Sequence, residues 1–307
     1  MDKNRKRRIE KNPKIDKFLR FFAADRKVCE SKVVCGIAHS LARNRSTALV
    51  AQAPIAFFDS GVGGLTVYKE VKKLLPSENY LYFGDTENMP YGEKTKEELV
   101  EIARKIFDFF AKRSVKAVVM ACNTTSATVY DKLKNDYDFK IYPIIQSVAK
   151  IFAEFPISRL GVFATPATIN SHAYSHEINK INAGMMIKEI ACPEWVRIVE
   201  DNKVYQPQTI LQVREKMDEM GDFEPEKIIL GCTHYPYLSE VLGQFYDVKN
   251  LIDPSKYFAK FIADDLGDLL NENGGSEKFF VSSNPENFRT AAKLFYELNE
   301  LPELVKL

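Results

Sequence analysis

From Pro54 onward, short apolar runs alternate with segments in which apolar residues recur every three or four positions. The short runs predict buried strands, and the longer spacing predicts amphipathic helices. Predicted strands cover residues 55–58, 80–83, the region around 118, 141–145, 160–163, 186–190, the region around 228, and 279–281. Strands that alternate with helices in this way predict an α/β fold with parallel sheets.

Helices are predicted between these strands. Their ranges are 65–75, a helix after Thr95, one from about 126, 169–181, one through 213 and 217, 254–270, and a last helix after Asn284. Thr95 and Glu98 have the spacing of a capping box, and Pro285 follows an N-cap at Asn284. Residues 191–202, ACPEWVRIVEDN, are predicted to form a loop.

Two of the strands end in similar polar triplets. In AVVMACNTTSA (117–127), Cys122, Asn123 and Thr124 follow an apolar run, and in KIILGCTHYPYL (227–238) the corresponding residues are Cys232, Thr233 and His234. Open α/β sheets bind ligands at the carboxyl ends of their strands. The first predicted strand of each half precedes its cysteine by a similar distance, so we expect two similar lobes that face one cleft.

Composition and charge limit the remaining function classes. The 307 residues are 45% hydrophobic, and no apolar run reaches the roughly eighteen residues of a membrane helix. The chain has no basic-then-apolar secretory signal at its start, and its five cysteines are an odd number scattered along its length. These features predict a reduced, cytoplasmic protein with no membrane association.

The overall charge of +1 conceals a basic N-terminal extension, residues 1–53. Residues 1–50 contain fourteen Lys or Arg and five Asp or Glu, which leaves a balance of −8 for the rest of the chain. Ile15, Leu19 and Phe22 have the spacing of a short amphipathic helix. The extension could bind nucleic acid or an anionic ligand, dock on the acidic body, or be a poorly ordered leader.

Two opposed thiols are suited to inverting a carbon that carries an acidic hydrogen. One sulfur removes the proton from one face while the other returns a proton to the opposite face, and the ordinary thiol pKa near 8.5 suits both roles. Asp59 lies at the end of the first strand and His234 lies two residues after Cys232, so each thiol has a neighbouring acid or base. The remaining polar groups, Ser60, Asn123, Thr124, Thr233 and the amides around Gly61, Gly63 and Gly64, suit a small zwitterion.

Other interpretations of the same residues remain open. Cys122, Cys232, Asp59 and His234 could ligate zinc, although the paired spacing of common zinc sites is absent. A Cys–His hydrolase would use only one of the two thiols. His172 and His176 are interpreted as surface or packing residues. Cys29, Cys35 and Cys192 lack a matching environment and are assigned no role.

Four motifs together resemble a known family. IAFFDSGVGGLTV, FGDTENMPYGEK, ACNTTSA and LGCTHYPYL, in this order, closely resemble the glutamate racemases of the aspartate/glutamate racemase superfamily, from about Pro54 to the C-terminus. The resemblance implies a cofactor-independent interconversion of L- and D-glutamate that supplies D-glutamate for peptidoglycan, with no metal. It also implies two α/β lobes related by a pseudo-twofold axis, with the active site between them, and commonly a homodimer.

The lobes implied by the resemblance are residues 54–146 plus 260–307 and residues 147–259. The implied catalytic residues are Cys122, Cys232, Asp59, His234 and Glu200. The implied substrate contacts are Asp59, Ser60, Tyr91, Gly92, Asn123, Thr124, Thr233 and His234.

By the same analogy, Cys122 deprotonates the D enantiomer and Cys232 the L enantiomer. Around Glu200 the pattern departs from the family, because Asp201 replaces a second glutamate and Arg197 stands where a proline is common. Aspartate and hydantoins are the alternative substrates. A contact of the basic extension with DNA or gyrase, which some members of the family are reported to make, is the alternative from a different functional class.

Overall fold

The computed structural model describes residues 50–271 and 274–307. All strand pairs within these residues are parallel, and they form one sheet of six strands and one of four. The strands are β1 (Ile55–Asp59), β2 (Tyr80–Gly84), β3 (Ala117–Met120), β4 (Lys140–Pro143), β5 (Arg159–Ala164), β6 (Met186–Ala191), β7 (Lys227–Gly231), β8 (Leu251–Ile252), β9 (Glu277–Val281) and β10 (Glu303–Leu304). The predicted α/β class with parallel sheets is confirmed.

Helices follow most of the strands. After β1 the described helices are α1 (Leu65–Leu74), α2 (Lys96–Ala111), α3 (Asn123–Thr128), α4 (Tyr130–Leu133), α5 (Ile144–Phe152), α6 (Pro166–Ser171), α7 (Ala173–Asn179), α8 (Trp195–Glu200), α9 (Pro207–Gly221), α10 (Ser239–Leu242), α11 (Pro254–Leu266) and α12 (Pro285–Ala292). Short 3₁₀ segments occur at Tyr91–Glu93, Tyr235–Leu238, Val248–Asn250 and Gly267–Leu269. Within the part of the chain that the structure describes, no helix is both long and apolar enough to cross a bilayer.

The two sheets repeat one strand order. The larger sheet has the order β10-β9-β2-β1-β3-β4 and the smaller has the order β6-β5-β7-β8. The segment β2-β1-β3-β4 therefore corresponds to β6-β5-β7-β8, with β1 and β5 at equivalent central positions. This duplication agrees with the two similar halves inferred from the sequence. Strands of the first half and of the C-terminal segment share the larger sheet, whereas the exact lobe boundaries remain a prediction.

Alternating side chains of β1 pack on opposite faces of the larger sheet. Ile55 and Phe57 belong to a buried cluster that includes residues of α1 and continues into the core of the smaller sheet. Ala56 and Phe58 belong to a second cluster on the α2 side of the sheet. Because both faces are covered, the central strands are almost entirely apolar, as expected for buried parallel strands.

The predicted capping box at the start of α2 is confirmed. The Thr95 hydroxyl accepts a hydrogen bond from the Glu98 backbone N–H, and the Glu98 carboxylate accepts one from the Thr95 N–H. At α12 the Asn284 side chain accepts from the Asn287 N–H, as the Asn-Pro signal predicted.

Several predicted boundaries were wrong. Residues 191–202 are not a continuous loop, because Trp195–Glu200 form α8, and the strand predicted at 141–145 ends at Pro143, where α5 follows. The helix predicted at 169–181 is interrupted at His172, which has a left-handed backbone with φ of 52°. The helix predicted from about 126 begins at Asn123 instead, and the one predicted to 270 ends at Leu266.

The sequence predictions for residues 1–49 lie outside the described residues. They comprise most of the basic extension, its amphipathic helix, and the unassigned Cys29 and Cys35. The binding alternatives for the extension therefore remain predictions.

A buried ion pair lies at the end of the larger sheet opposite the polar triplets. Lys116 Nζ lies 2.7 Å from Glu78 Oε2, and both side chains are almost fully buried. The same ammonium donates to the Leu269 carbonyl, and the other Glu78 oxygen accepts from the Asn271 N–H. The pair thus connects the start of β3 to the segment that leads from α11 to β9.

We expect Lys116→Met to lower the free energy of unfolding by about 3 kcal/mol, because it leaves the buried Glu78 carboxylate without its cation. Lys134→Met is the matched control, since Lys134 pairs with Asp131 at an exposed site and should contribute less than about 0.5 kcal/mol. Urea unfolding of both variants tests this. Equal stability of the two would contradict the structural role of the buried pair.

Candidate active site

A cavity of about 230 Å³ opens at the carboxyl ends of the strands. Its walls come from segments that follow β1, β2 and β3 of the larger sheet and β5, β6 and β7 of the smaller one. The lining residues are Ser60, Met89, Pro90, Tyr91, Gly92, Glu93, Cys122, Asn123, Thr124, Thr165, Pro166, Pro193, Val196, Arg197, Glu200, Cys232, Thr233 and His234. Both strand-end cysteines therefore open on the same cavity.

Cys122 is the N-cap residue of α3, directly after β3. Its side chain is largely buried, and burial raises the pKa of the thiol to about 12, with the nearby Asp59 carboxylate adding to the effect. Hydrogen bonding from Thr125 in the first turn of α3 acts in the opposite direction without reversing the shift. The proton is therefore held firmly on the Cys122 sulfur.

Asp59 is wholly buried beneath the cavity and is not among its lining residues. One carboxylate oxygen accepts a hydrogen bond from the Gly61 N–H at 3.0 Å, and the other has no hydrogen-bond partner within the described residues. Burial raises the pKa of this carboxyl group, although the Gly61 N–H and the charge of His234 partly oppose the shift. Asp59 does not line the cavity, and its effect on the Cys122 thiol is therefore electrostatic.

Cys232 has a different set of neighbours. Its sulfur lies 3.8 Å from His234 Nδ1, and His234 Nε2 lies 3.0 Å from Glu200 Oε1. Burial by itself lowers the pKa of His234, but the hydrogen bonds to Cys232 and Glu200 outweigh it and raise the pKa to about 10. A protonated imidazole is therefore favoured when the Cys232 sulfur and the Glu200 carboxylate carry negative charge.

Hydrogen bonds between residues that follow different sheets surround the two cysteines. The Thr124 and Thr165 hydroxyl oxygens lie 3.0 Å apart, and the Tyr174 hydroxyl donates to Asn123 Oδ1 at 2.7 Å. The Thr66 hydroxyl donates to the Thr233 carbonyl at 3.1 Å. These groups are buried, so unmaking any of the bonds would leave an unpaired polar group out of contact with water.

Gly63 allows the loop after β1 to approach the segment after β7 closely. A Cβ atom at this position would lie 2.4 Å from His234 Cε1 and from Thr233 Oγ1. The glycine loop therefore serves close packing against the second polar triplet.

Tyr91 lines the cavity, but its hydroxyl is already engaged. It donates to Asp85 Oδ2 at 2.5 Å, and the Asn88 amide donates to the same carboxylate. Gly92 lies against Thr165, where an added Cβ would come within 3.2 Å of the threonine Cβ. The segment after β2 is therefore held in place by Asp85 and packs against the segment after β5.

All of the catalytic and substrate-contact residues implied by the family resemblance, except Asp59, line the cavity. Gly61, Gly63 and Gly64, whose amides were also predicted to contribute, are not among the lining residues. The prediction omitted the other lining residues, Met89, Pro90, Glu93, Thr165, Pro166, Pro193, Val196 and Arg197. Only Thr165 had a sequence signal, since it follows β5 as Ser60 follows β1.

The residues set aside by the sequence analysis lie elsewhere. His172 and His176 are exposed and pair with Glu189 and Glu177, respectively. Cys192 is buried and does not line the cavity. The residues that the structure describes contain no group of three or more His, Cys, Asp or Glu arranged to hold a metal ion, so the zinc alternative has no ligand set there.

Comparison with known proteins agrees with this architecture. A sequence model of the Asp/Glu/Hydantoin racemase family matches residues 63–262. The chain belongs to the Asp/Glu/Hydantoin racemase family.

Its relatives include the glutamate racemase of Carboxydothermus hydrogenoformans, which is 38% identical over 248 residues that cover 80% of this chain and 92% of the relative. The Francisella tularensis glutamate racemase, solved in complex with D-glutamate, has a TM-score of 0.78 at 33% identity, covering 83% of this chain and 98% of that one. The Thermus thermophilus glutamate racemase, solved with beta-chloro-D-alanine, has a TM-score of 0.76 at 35% identity, covering 84% and 98%.

We expect Gly63→Ala to destabilise the protein by about 1–3 kcal/mol, because the new methyl group overlaps His234 and Thr233 and forces them to shift. Gly221→Ala is the control, since nothing lies within 4 Å of the Cβ it would add. Thermal unfolding of the two variants measures the difference. A melting temperature for Gly63→Ala as high as that of the control would show that the close contact is not maintained.

The raised pKa of His234 predicts a pH-dependent contribution to stability. Because the folded protein holds this proton more tightly than the unfolded chain, the contribution is complete below pH 6.5 and is lost as the pH rises through about 10. The stability difference between the wild type and His234→Gln should therefore shrink across this window. Urea unfolding of both proteins near pH 6.5 and near pH 10 measures this difference. A stability difference that grows with pH would contradict a raised pKa for His234.

Proposed function

We propose that this protein is a glutamate racemase that interconverts L- and D-glutamate with two cysteine thiols and no cofactor. The observation that carries the proposal is that Cys122 and Cys232, which follow equivalent strands of two sheets, line one small polar cavity. Relatives that are named glutamate racemases, with 92% of the first relative's length matched, support glutamate as the substrate. In this family the reaction supplies D-glutamate for peptidoglycan synthesis.

In the proposed reaction the sulfurs act from opposite sides of the substrate α carbon. A thiolate removes the α proton and becomes a thiol, while the opposite thiol donates its proton to the other face and becomes a thiolate. The substrate is inverted, and the total charge of the site is unchanged. We assign Cys232 to deprotonation of L-glutamate and Cys122 to deprotonation of D-glutamate.

The electrostatics of the site support this assignment of roles. The pKa of Cys122, raised to about 12, keeps its proton available for donation. The protonated His234 lies within hydrogen-bonding distance of the Cys232 sulfur and stabilises negative charge there when it forms. This arrangement is the one needed to accept L-glutamate. Glu200 acts as a positioning residue, because it orients the His234 imidazole and offsets its charge.

Polar groups in the cavity suit the ionic groups of an amino acid. Ser60, Asn123, Thr124 and Thr233 supply hydroxyl and amide groups to its lining. We propose that they hold the α-carboxylate and ammonium groups, and that Tyr91 and Gly92 contribute contacts from the segment after β2. Asp59 does not line the cavity and acts on the Cys122 thiol electrostatically. The complex of the Francisella protein with D-glutamate supports a ligand of this size and charge.

A second candidate activity deserves a test because of the Cys232, His234 and Glu200 chain. A thiol, an imidazole and a carboxylate in this order also form the nucleophilic centre of Cys–His hydrolases. That activity would need Cys232 but not Cys122. Racemisation requires both, and it also accounts for the second thiol in the cavity.

The proposed function also implies a cytoplasmic location and a homodimeric assembly. The three described cysteines are free, and a reducing cytoplasm keeps the two reacting thiols reduced. We propose homodimerisation from the family resemblance alone.

We expect Cys122→Ala and Cys232→Ala each to reduce glutamate racemisation by about a thousandfold or more, because each removes one acid–base group. Circular dichroism during incubation with L-glutamate, without pyridoxal phosphate or metal, measures the reaction. Deuterium incorporation at Cα in heavy water measures proton exchange, which the wild type should catalyse with both enantiomers.

Cys192→Ala is the matched control, because this cysteine is also buried but lies outside the cavity, and it should leave racemisation intact. Survival of full exchange in both Cys122→Ala and Cys232→Ala would exclude the two-thiol mechanism. Turnover of aspartate or of a hydantoin in preference to glutamate would retain the mechanism and replace the substrate. Hydrolytic activity that persists in Cys122→Ala would support the alternative function, a Cys–His hydrolase with Cys232 as its nucleophile.

A further inference from the structure

The charged side chains around the cavity are unevenly distributed. Glu93 and Glu200 supply negative charge, and His234 supplies positive charge but is already in contact with Glu200 and Cys232. Among the described residues that line the cavity, Arg197 is the only arginine or lysine. A substrate with two carboxylates therefore meets one cation, Arg197, that takes no part in the contacts among Cys232, His234 and Glu200.

Arg197 is held from the opposite side of the cavity. Its Nη2 lies 3.1 Å from Glu93 Oε1, where Glu93 belongs to the segment after β2 of the larger sheet and Arg197 to α8 of the other half. Both side chains are more than 60% exposed, so the pair lies at the opening of the cavity to solvent. An exposed pair of this kind contributes little stability, and a competing carboxylate can replace Glu93 at low cost.

Helix α8 fixes the distance between Arg197 and the reacting groups. Buried Trp195, Ile198 and Val199 anchor the helix, which leaves Arg197 and Glu200 to face the cavity. These two residues are one turn apart, so their Cβ atoms are about 5–6 Å from each other. Since Glu200 contacts His234 beside Cys232, the same short helix carries both the arginine and the carboxylate that binds the imidazole.

We propose that Arg197 is a specificity-determining residue that binds the side-chain carboxylate of the substrate, and that Glu93 occupies the guanidinium until the substrate replaces it. The inference rests on the proposed glutamate racemase function and deepens it by naming the group that recognises the second carboxylate. The guanidinium suits this role because its planar fork can bind a carboxylate through two hydrogen bonds. Glu93 then acts as a competitor whose removal strengthens binding.

The primary test uses a ligand that the enzyme cannot turn over. Glutarate has both carboxylates but no stereocentre, and butyrate has only one carboxylate. Trp195 is the one tryptophan of the chain and lies on α8, so its fluorescence can report binding in the wild type and in every variant. Isothermal titration calorimetry with the same two ligands provides an independent measure.

We expect Arg197→Gln to weaken glutarate binding by about fivefold to tenfold, the range for a charge-assisted contact at a partly exposed site, and to leave butyrate binding unchanged. Arg197→Lys should lose only part of this affinity, because it keeps the charge without the fork. Glu93→Gln should strengthen glutarate binding by about twofold to threefold because it removes the competitor.

Arg214→Gln is the matched control. Arg214 is also exposed and paired with a carboxylate, that of Asp218, but it does not line the cavity, so its loss should change neither ligand's affinity. Glutarate binding in Arg197→Gln equal to that in the control would overturn the proposal. So would an equal weakening of butyrate, because that result would indicate a change of cavity shape and not recognition of the second carboxylate.

Steady-state kinetics separate this inference from the proposed function. Arg197→Gln should raise the KM for both glutamate enantiomers and change kcat less than twofold, whereas loss of a proton-transfer group lowers kcat. If no racemisation is found in the wild type, the proposed function fails while the glutarate measurement still decides the role of Arg197. Racemisation with an unchanged KM in Arg197→Gln would reject the arginine contact and leave the racemase assignment standing.

Discussion

The geometry of the site depends on bringing strand ends from two separate sheets against one cavity. Buried hydrogen bonds maintain this arrangement next to both cysteines. Thr124 and Asn123, directly after Cys122, bond to Thr165 and Tyr174 of the other half, and the carbonyl of Thr233, directly after Cys232, accepts from Thr66. Buried polar bonds are costly to leave unmade, so the two halves have few alternative arrangements that satisfy all of them. The positions of the sulfurs are therefore set by neighbours that need not touch the substrate.

Features that depend on local sequence were predictable. Apolar runs located the strands, the Thr95 and Glu98 spacing located the start of α2, and the polar residues after two runs located Cys122 and Cys232. Strand ends of a parallel sheet necessarily gather at one edge. The sequence therefore predicted many of the side chains that line the cavity, whereas several predicted helix boundaries were wrong.

Features that depend on tertiary contacts were not predictable. Helix α8 has only six residues, and the spacing of Trp195, Ile198 and Val199 that buries one of its faces was obscured by Pro193 before it. The pairing of Glu93 with Arg197 joins residues 104 positions apart, and no local pattern marks it. The complete burial of Asp59 also depends on how the glycine loop folds over it, since the sequence places this residue only at the end of a strand.

Because the two halves share one strand order, residues at equivalent backbone positions can be compared directly. Ala164 occupies in β5 the position that Asp59 has in β1, and Thr124 follows Cys122 at the place where His234 follows Cys232. Each sulfur thus has a counterpart in backbone position but not in its neighbouring charges. Mirror-image molecules have equal free energies, so this asymmetry cannot favour either hand at equilibrium. In the proposed racemisation, the asymmetry can only change how an equal kcat/KM is divided between kcat and KM in the two directions. The two-thiol mechanism also requires one proton to pass from one sulfur to the other before a conversion in the same direction can be repeated.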